Sequence, residues 1–176
     1  MDHTLREWVR LGEKCGLAQA ALDAQAKETR MDRTHIRQVM LAHWHDMQSA
    51  IRTGLEPGLR SVSGLSGGQA VKLLNRMQEG KSLCGTLLGK AEAYALATAE
   101  CNACMGKIVA APTAGACGIL PGLLQALAEE RNFQEDALVD ALFVAAAVGE
   151  SIASQASISG AEGGCQAECG SAAAMA

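Results

Sequence analysis

The sequence predicts an all-α fold, a compact helical domain of about six helices joined by glycine-rich turns. Aromatic residues make up only 3% of the chain, whereas β-sheets are rich in Val, Ile, Tyr and Phe. Glycine is frequent, at 19 of 176 residues, and apolar residues recur at helical spacing. A chain of this length can build one substantial core, and no shift in composition marks a boundary, so residues 1–176 are predicted to form a single domain.

The clearest predicted helix covers about residues 34–53. Asp32 is a suitable N-cap, because its carboxylate can accept hydrogen bonds from the first amides of a helix. Gly54 and Pro57 then end the segment. The apolar positions recur every three or four residues: Ile36, Met40, Trp44, Met47 and Ile51.

A second helix is predicted after the glycine-rich segment 61–68. Ser66 and Gln69 have the three-residue spacing of a capping box, in which each side chain satisfies a backbone amide at the start of the helix. An apolar stripe follows, and Gly80 can end the helix. The stripe comprises Ala70, Leu73, Leu74 and Met77.

Four further helical segments follow along the chain. Residues 87–104 are rich in alanine, which favours close packing on neighbours, and residues 120–130 follow a Pro-Thr-Ala-Gly turn. Residues 133–152 carry an apolar face and have acidic residues in their first turn, where the helix dipole favours them. Residues 171–176 end as an apparent helix without a cap, as expected of a C-terminally truncated fragment.

Three glycine-rich turns are candidates for ligand binding: residues 63–68 (SGLSGG, the serine turn), residues 112–118 (PTAGACG, the proline turn) and residues 159–164 (SGAEGG). Glycine lets several backbone N–H groups approach one anion, and a helix that begins there adds its positive end. Hydroxyl groups beside these amides favour a small polar acid as the ligand. The hydroxyls belong to Ser63, Ser66, Thr113 and Ser159. Each turn taken alone also fits a simple close-packed connection between helices.

The seven cysteines are an odd number without regular spacing, which does not suggest a disulfide framework. Cys101 and Cys104 have the spacing of a zinc or redox pair, but no second pair follows, and on a helix they are simply neighbours. Cys165 and Cys169 would share a helix face, yet two thiolates are too few for an iron–sulfur cluster. The isolated cysteines are expected to be buried packing residues: Cys15, Cys84 and Cys117.

Charge and hydropathy argue against nucleic acid and membranes as partners. The net charge is −4, and residues 132–176 contain neither Lys nor Arg, so no basic surface for phosphates is available there. The N-terminal residues are too charged for a signal peptide, and the longest apolar run, residues 141–148, is too short to cross a bilayer. We therefore expect a cytoplasmic protein that binds neither nucleic acid nor membranes.

Three blocks of sequence resemble the alpha domain, or alpha subunit, of the bacterial iron–sulfur-dependent L-serine dehydratases. They are SVSGLSGGQAVKL, NACMGKIVAAPTAGACGILPG and SISGAEGGCQAECGSAAAMA. The resemblance implies conversion of L-serine to pyruvate and ammonia with a four-iron, four-sulfur (4Fe-4S) cluster held by three cysteines. By the same resemblance Cys165 matches the first cluster ligand, Cys169 matches none, and the other two lie in a downstream segment that this sequence lacks.

The resemblance also implies how the site would work. One iron of the cluster has an open position and acts as a Lewis acid on the substrate hydroxyl, while the serine turn and the proline turn orient the carboxylate and amino groups of L-serine. No residue of this chain is a convincing base, so the base is expected in a beta domain or beta subunit. The candidate substrate-binding residues are Ser63, Gly64, Ser66, Gly67, Gly68, Thr113, Ala114 and Gly115.

The isolated fragment is therefore expected to be inactive without its beta partner and the remaining cluster ligands. A homo-oligomer is also expected, because alanine-rich faces can pack closely between copies. Two other kinds of function stay open on the residues alone. The chain could be a helical module that binds a small carboxylate without chemistry, or a helical assembly domain.

Overall fold

The computed structural model describes residues 3–176 and confirms the all-α fold. Within these residues there are eight α-helices and one short 3-10 helix, two α-helices more than the sequence predicts. No helix in this range is both long enough and apolar enough to cross a membrane. The α-helices are α1 (Leu5–Cys15), α2 (Leu17–Thr29), α3 (Arg33–Gly54), α4 (Gln69–Gln78), α5 (Gly85–Ala103), α6 (Ile119–Arg131), α7 (Glu135–Ala153) and α8 (Gly160–Met175), and the 3-10 helix is Ala114–Ala116.

The two additional helices, α1 and α2, are joined at Gly16 and pack on each other. A capping box starts α1: the amide of Glu7 donates to Thr4 Oγ1 at 3.4 Å, and the amide of Thr4 donates to Glu7 Oε2 at 2.7 Å. Trp8 of α1 is only 2% exposed, and α2 contacts α7. This N-terminal pair of helices is therefore part of the core.

The longest helix, α3, begins at Asp32 as predicted. The Asp32 carboxylate accepts a hydrogen bond from the amide of Thr34 at 2.8 Å. Trp44 and Met47, which belong to the predicted apolar face, are 0% and 3% exposed. Because α3 contacts α5, α6 and α7, this apolar face lies at the centre of the molecule.

The contact between α5 and α6 depends on small residues. Ala93 and Ala97 of α5 are completely buried. Gly122 of α6 lies so close to α5 that an added Cβ would be 2.7 Å from both the carbonyl oxygen of Ala91 and the backbone nitrogen of Ala95. The predicted close packing of the alanine-rich helix is therefore confirmed.

A polar group spans one edge of the contact between α5 and α6. Glu129 accepts hydrogen bonds from the Tyr94 hydroxyl at 2.9 Å, from Lys90 Nζ at 3.0 Å and from Gln125 Nε2 at 2.9 Å. Burial alone would raise the pKa of Glu129, but these hydrogen bonds outweigh it and lower the pKa below its usual value of 4.5. Burial, and then the neighbouring carboxylate, raise the pKa of Tyr94.

Helix α4 is present, but it starts differently from the prediction. Its N-cap is Gly68, and no side chain of its first residues caps it. The predicted capping box of Ser66 and Gln69 is therefore wrong, because Ser66 lies two residues before the N-cap position. At the other end, Gly80 has the positive φ of 72° that a helix stop favours, as predicted.

The ends of four other helices lie within two residues of the predicted ones: 34–53, 87–104, 120–130 and 133–152.

Candidate active site

The proline turn connects α5 to α6 and is held from the end of α5. The peptide bond between Ala111 and Pro112 is cis, and the 3-10 helix follows it. Asn102 Nδ2 donates a hydrogen bond to the carbonyl oxygen of Ala114 at 3.1 Å. The hydroxyl oxygen of Thr113 is buried and has no hydrogen-bond partner within residues 3–176. Buried hydroxyls are normally paired, so Thr113 is an exception in the described part of the chain.

Cys165 follows a break in α8. The first turn of this helix is capped by Ser159, whose Oγ accepts from the amide of Ala161 at 3.2 Å. Gly164 then adopts φ 72° and ψ 174°, a non-helical conformation that glycine reaches without a clash of Cβ. The helix resumes at Cys165, which is exposed and forms no disulfide. The predicted turn 159–164 is therefore mostly helical: Ser159 is the N-cap, and within residues 160–164 only Gly164 departs from the helix.

Glu168 lies three residues beyond Cys165, on the same face of α8. Its half-buried carboxylate lies against two glycines, one in the proline turn and one at the start of α8. A Cβ added at Gly115 would be 3.0 Å from Glu168 Oε2, and one added at Gly160 would be 2.6 Å from it. Both glycines therefore make room for this carboxylate, which has no hydrogen bond or ion pair in the described part of the chain.

The serine turn is folded by its own hydrogen bonds. Ser61 Oγ accepts from the amide of Ser66 at 3.2 Å and lies 3.2 Å from Ser63 Oγ. The amide of Gly64 donates to the carbonyl oxygen of Ser61 at 2.8 Å. Residues 62–66 are exposed. The turn therefore presents the side chains of Ser63 and Ser66 to the surroundings.

Glu100 of α5 is a buried acid that the sequence analysis does not single out. It is only 4% exposed, and its carboxylate accepts from the amides of Gly68 at 2.8 Å, Gln69 at 2.7 Å and Ala70 at 3.3 Å. These amides begin α4 and have no partner inside that helix, and a negative charge there is favourable. The amide of Gly68, at the end of the serine turn, thus donates to a carboxylate of the same chain.

Helix α5 positions both turns. Glu100 holds the end of the serine turn and Asn102 holds the proline turn, from positions that point to different faces of the helix. The proline turn also packs against α8, which carries Cys165. Residues 113–115 and Cys165 therefore belong to one region. No hydrogen bond joins the serine turn to the proline turn among residues 3–176.

The other cysteines divide into buried and exposed ones. Cys101 and Cys117 are 2% and 1% exposed, and burial raises the pKa of each thiol. The prediction that Cys117 is a buried packing residue is therefore confirmed. Cys15 and Cys84 are exposed, so the same prediction for these two is wrong. The charge of Glu92 raises the pKa of Cys84.

Cys165 suits one ligand position of an iron–sulfur cluster, because its thiol is exposed and free of a disulfide. Cys169, four residues further along α8, is also exposed. Residues 3–176 do not bring together three or more His, Cys, Asp or Glu side chains in a group that could hold a metal ion.

Three polar residues near the two turns are missing from the sequence analysis: Glu100, Asn102 and Glu168. The spacing of Glu168 from Cys165 is visible in the sequence and identifies it as a neighbour on a helix. Glu100 and Asn102 bond to residues 32 and 12 positions away. Such contacts leave no local pattern, so sequence periodicity cannot find them.

Comparison with known proteins agrees with these observations. The family model described as serine dehydratase alpha chain matches residues 12–176. The chain is 51% identical over 130 residues to a probable L-serine dehydratase alpha chain of Bacillus subtilis, and the aligned region covers 74% of this chain and 43% of that protein. It is 36% identical over 178 residues to the L-serine dehydratase alpha chain of Peptoniphilus asaccharolyticus, and the aligned region covers 100% of this chain and 61% of that protein.

A longer relative is the L-serine dehydratase of Streptomyces coelicolor. It is 36% identical over 179 residues, covering 97% of this chain and 38% of that protein. The chain thus spans less than two thirds of the length of each of these three relatives. No solved structure gave a significant match.

Proposed function

The chain belongs to the family of serine dehydratase alpha chains, and from that premise we propose that it is the cluster-binding part of an enzyme that converts L-serine to pyruvate and ammonia. The observation that carries the proposal is the position of Cys165 on the helix that packs against the proline turn. An exposed thiol, a buried hydroxyl without a partner and an unpaired carboxylate lie in this one region. A simple assembly domain has no need of these groups.

Cys165 is proposed as one ligand of a 4Fe-4S cluster whose other ligands lie outside the described residues. When bound, the cluster supplies a Lewis acid that assists departure of the substrate hydroxyl. The chain holds the Cys165 thiol at the point where α8 resumes, and Gly164 sets the direction of that helical segment. Exposure of the thiol leaves it accessible to iron.

The proline turn is proposed to bind the substrate carboxylate. The Thr113 hydroxyl is a donor without a partner in the described part of the chain, and Ala114 and Gly115 are exposed beside it. Asn102 fixes the position of this segment through the carbonyl oxygen of Ala114. A preformed set of donors avoids the entropy cost of ordering a loop when the ligand binds.

The serine turn is proposed to contribute through the hydroxyl groups of Ser63 and Ser66, while Gly64 and Gly67 shape its backbone. The side chains of Ser63 and Ser66 are exposed and offer hydroxyl groups. The amide of Gly68 already donates to Glu100, so its role is to fix the turn. Glu100 is therefore a positioning residue in this proposal.

A beta domain or beta subunit is proposed to supply the catalytic base. All four histidines of the chain lie on α3 or before it, so none belongs to the proline turn or to α8. Val62 and Leu65 of the serine-turn segment are 81% and 91% exposed, which suits contact with a partner. A homo-oligomer and a cytoplasmic location belong to the same proposal.

Two cysteine variants of the complete protein test the proposal. Cys165→Ala and Cys169→Ala each remove an exposed thiol from α8, so each serves as the control for the other. After anaerobic preparation, we expect Cys165→Ala to lose bound iron, sulfide and L-serine turnover, and Cys169→Ala to keep all three. A wild-type protein that deaminates L-serine without iron, or a Cys165→Ala variant that retains its cluster, would contradict the proposal.

A further inference from the structure

The carboxylate of Glu168 has no role in the cluster binding or the carboxylate binding proposed for this region. Partly buried carboxylates are normally paired with a cation or with hydrogen-bond donors, because burial disfavours their charge. Glu168 has neither within residues 3–176. Since residues 132–176 contain no Lys or Arg, neither its own helix nor α7 offers a cationic side chain. The Glu168 carboxylate therefore has no cationic partner on α7 or α8.

The surroundings of Glu168 keep the carboxylate close to the proline turn. Gly115 and Gly160 flank it, and a Cβ at either position would lie within 3.0 Å of Oε2. Thr113, with its unpartnered hydroxyl, precedes Gly115 by two residues, a separation of at most about 7 Å between Cα atoms. The unpartnered hydroxyl and the carboxylate therefore belong to neighbouring parts of the proline-turn region.

We propose that Glu168 binds the α-ammonium group of the amino-acid substrate while the proline turn holds its carboxylate. This inference rests on the proposed function and identifies the group that would distinguish L-serine from a hydroxy acid. A hydrogen bond between an ammonium and a carboxylate is charge-assisted on both sides, and partial burial reduces its screening by water. Glu168 lies on the same face of α8 as Cys165, so it also orients the bound amino acid relative to that thiol.

The test compares two ligands that differ at the amino group. L-Serine carries the ammonium, whereas 3-hydroxypropionate has the same hydroxyl and carboxylate and lacks the ammonium. Dissociation constants of both are measured by calorimetry on the complete protein, together with KM for L-serine and the inhibition constant of 3-hydroxypropionate. The variants are Glu168→Gln, Glu168→Asp and, as a matched control, Glu130→Gln on the exposed end of α6.

We expect Glu168→Gln to weaken L-serine binding and raise KM by about 30-fold or more, because a charge-assisted bond is lost. Binding of 3-hydroxypropionate should be unchanged. Glu168→Asp keeps the charge on a shorter side chain, so its affinity for L-serine should lie between those of Glu168→Gln and the wild type. The affinity of Glu130→Gln for L-serine should match that of the wild type.

Equal weakening of both ligands in Glu168→Gln would show a structural role and overturn the inference. Unchanged L-serine binding in that variant would overturn it as well. Both of these outcomes leave the proposed function intact, because the wild type still binds and deaminates L-serine. A wild-type protein that neither binds nor deaminates L-serine would overturn the proposed function and this inference together.

Discussion

Replacing Glu100 should loosen the serine turn and lower the stability of the fold. The side chain is 4% exposed and accepts hydrogen bonds from three successive amides, at 2.8, 2.7 and 3.3 Å. Glu100→Gln keeps the shape and one acceptor oxygen but removes the charge. Glu100→Ala removes every acceptor and leaves the buried amide of Ala70 without a partner.

The loss of unfolding free energy in the Glu100 variants follows from these hydrogen bonds. A hydrogen bond to a charged group contributes about 1.5–3 kcal/mol. One bond is long, and Gln69 is exposed and can bind water after the change, so the three values do not add. We expect Glu100→Ala to lower the free energy of unfolding by about 2–4 kcal/mol, and Glu100→Gln by about 1–2 kcal/mol. For a chain of this size, the Gln variant should then lose about 2–8 °C in Tm.

Urea unfolding and amide hydrogen exchange measure the two consequences of the Glu100 variants. The unfolding free energy of each variant is compared with that of Glu130→Gln, an exposed change of the same charge that should stay within about 0.5 kcal/mol of the wild type. Exchange should accelerate most at the amides of Gly68, Gln69 and Ala70. A Glu100→Gln protein with wild-type stability and unchanged exchange at these amides would refute the capping role.

Three further predictions concern helix packing, the pH dependence of stability and the accessibility of the thiols. Gly122→Ala should cost about 1–3 kcal/mol of stability because the added Cβ meets the backbone of α5, whereas Gly170→Ala, with nothing within 4 Å, should be tolerated. The hydrogen bonds that lower the pKa of Glu129 should stabilise the fold above pH 4.5, and this stabilisation should be lost as the pH falls through the lower folded-state pKa. The urea midpoints of the wild type and of Glu129→Gln should therefore converge in acid. In the iron-free protein, mass spectrometry after brief iodoacetamide treatment at neutral pH should find Cys101 and Cys117 unmodified, since both are buried and have raised pKa values. The exposed cysteines, Cys165 included, should be labelled in that protein.

Local sequence patterns predicted the helices where caps and apolar periodicity agree. Asp32 and the apolar face of α3 define that helix, and both are confirmed. Thr4 and Glu7 offer an equally local capping signal for α1, a helix that was not predicted. The predicted start of α4 at Ser66 is wrong, because the spacing of Ser66 and Gln69 fits a capping box, whereas the first amides of α4 bind the carboxylate of Glu100.

The candidate site was less predictable than the helices, because its key contacts join distant parts of the chain. The glycine-rich turns are visible in the sequence, but the role of Glu100 in binding the amides of α4 depends on how α5 packs there. Glu168 meets Gly115 only because α8 packs on the proline turn. The spacing of Cys15 and Cys84 could not show that both face outward.

Alkylation of Cys165 in the complete protein, before and after removal of its iron, tests the central claim most directly. Cys165 and Cys169 are both exposed on α8, so Cys169 is an internal reference for access of the reagent. If Cys165 binds the cluster, the iron-loaded protein should label at Cys169 and stay unlabelled at Cys165, and chelation of the iron should make both labels equal. Equal labelling of the two thiols in protein that still holds its full complement of iron and sulfide would contradict the account.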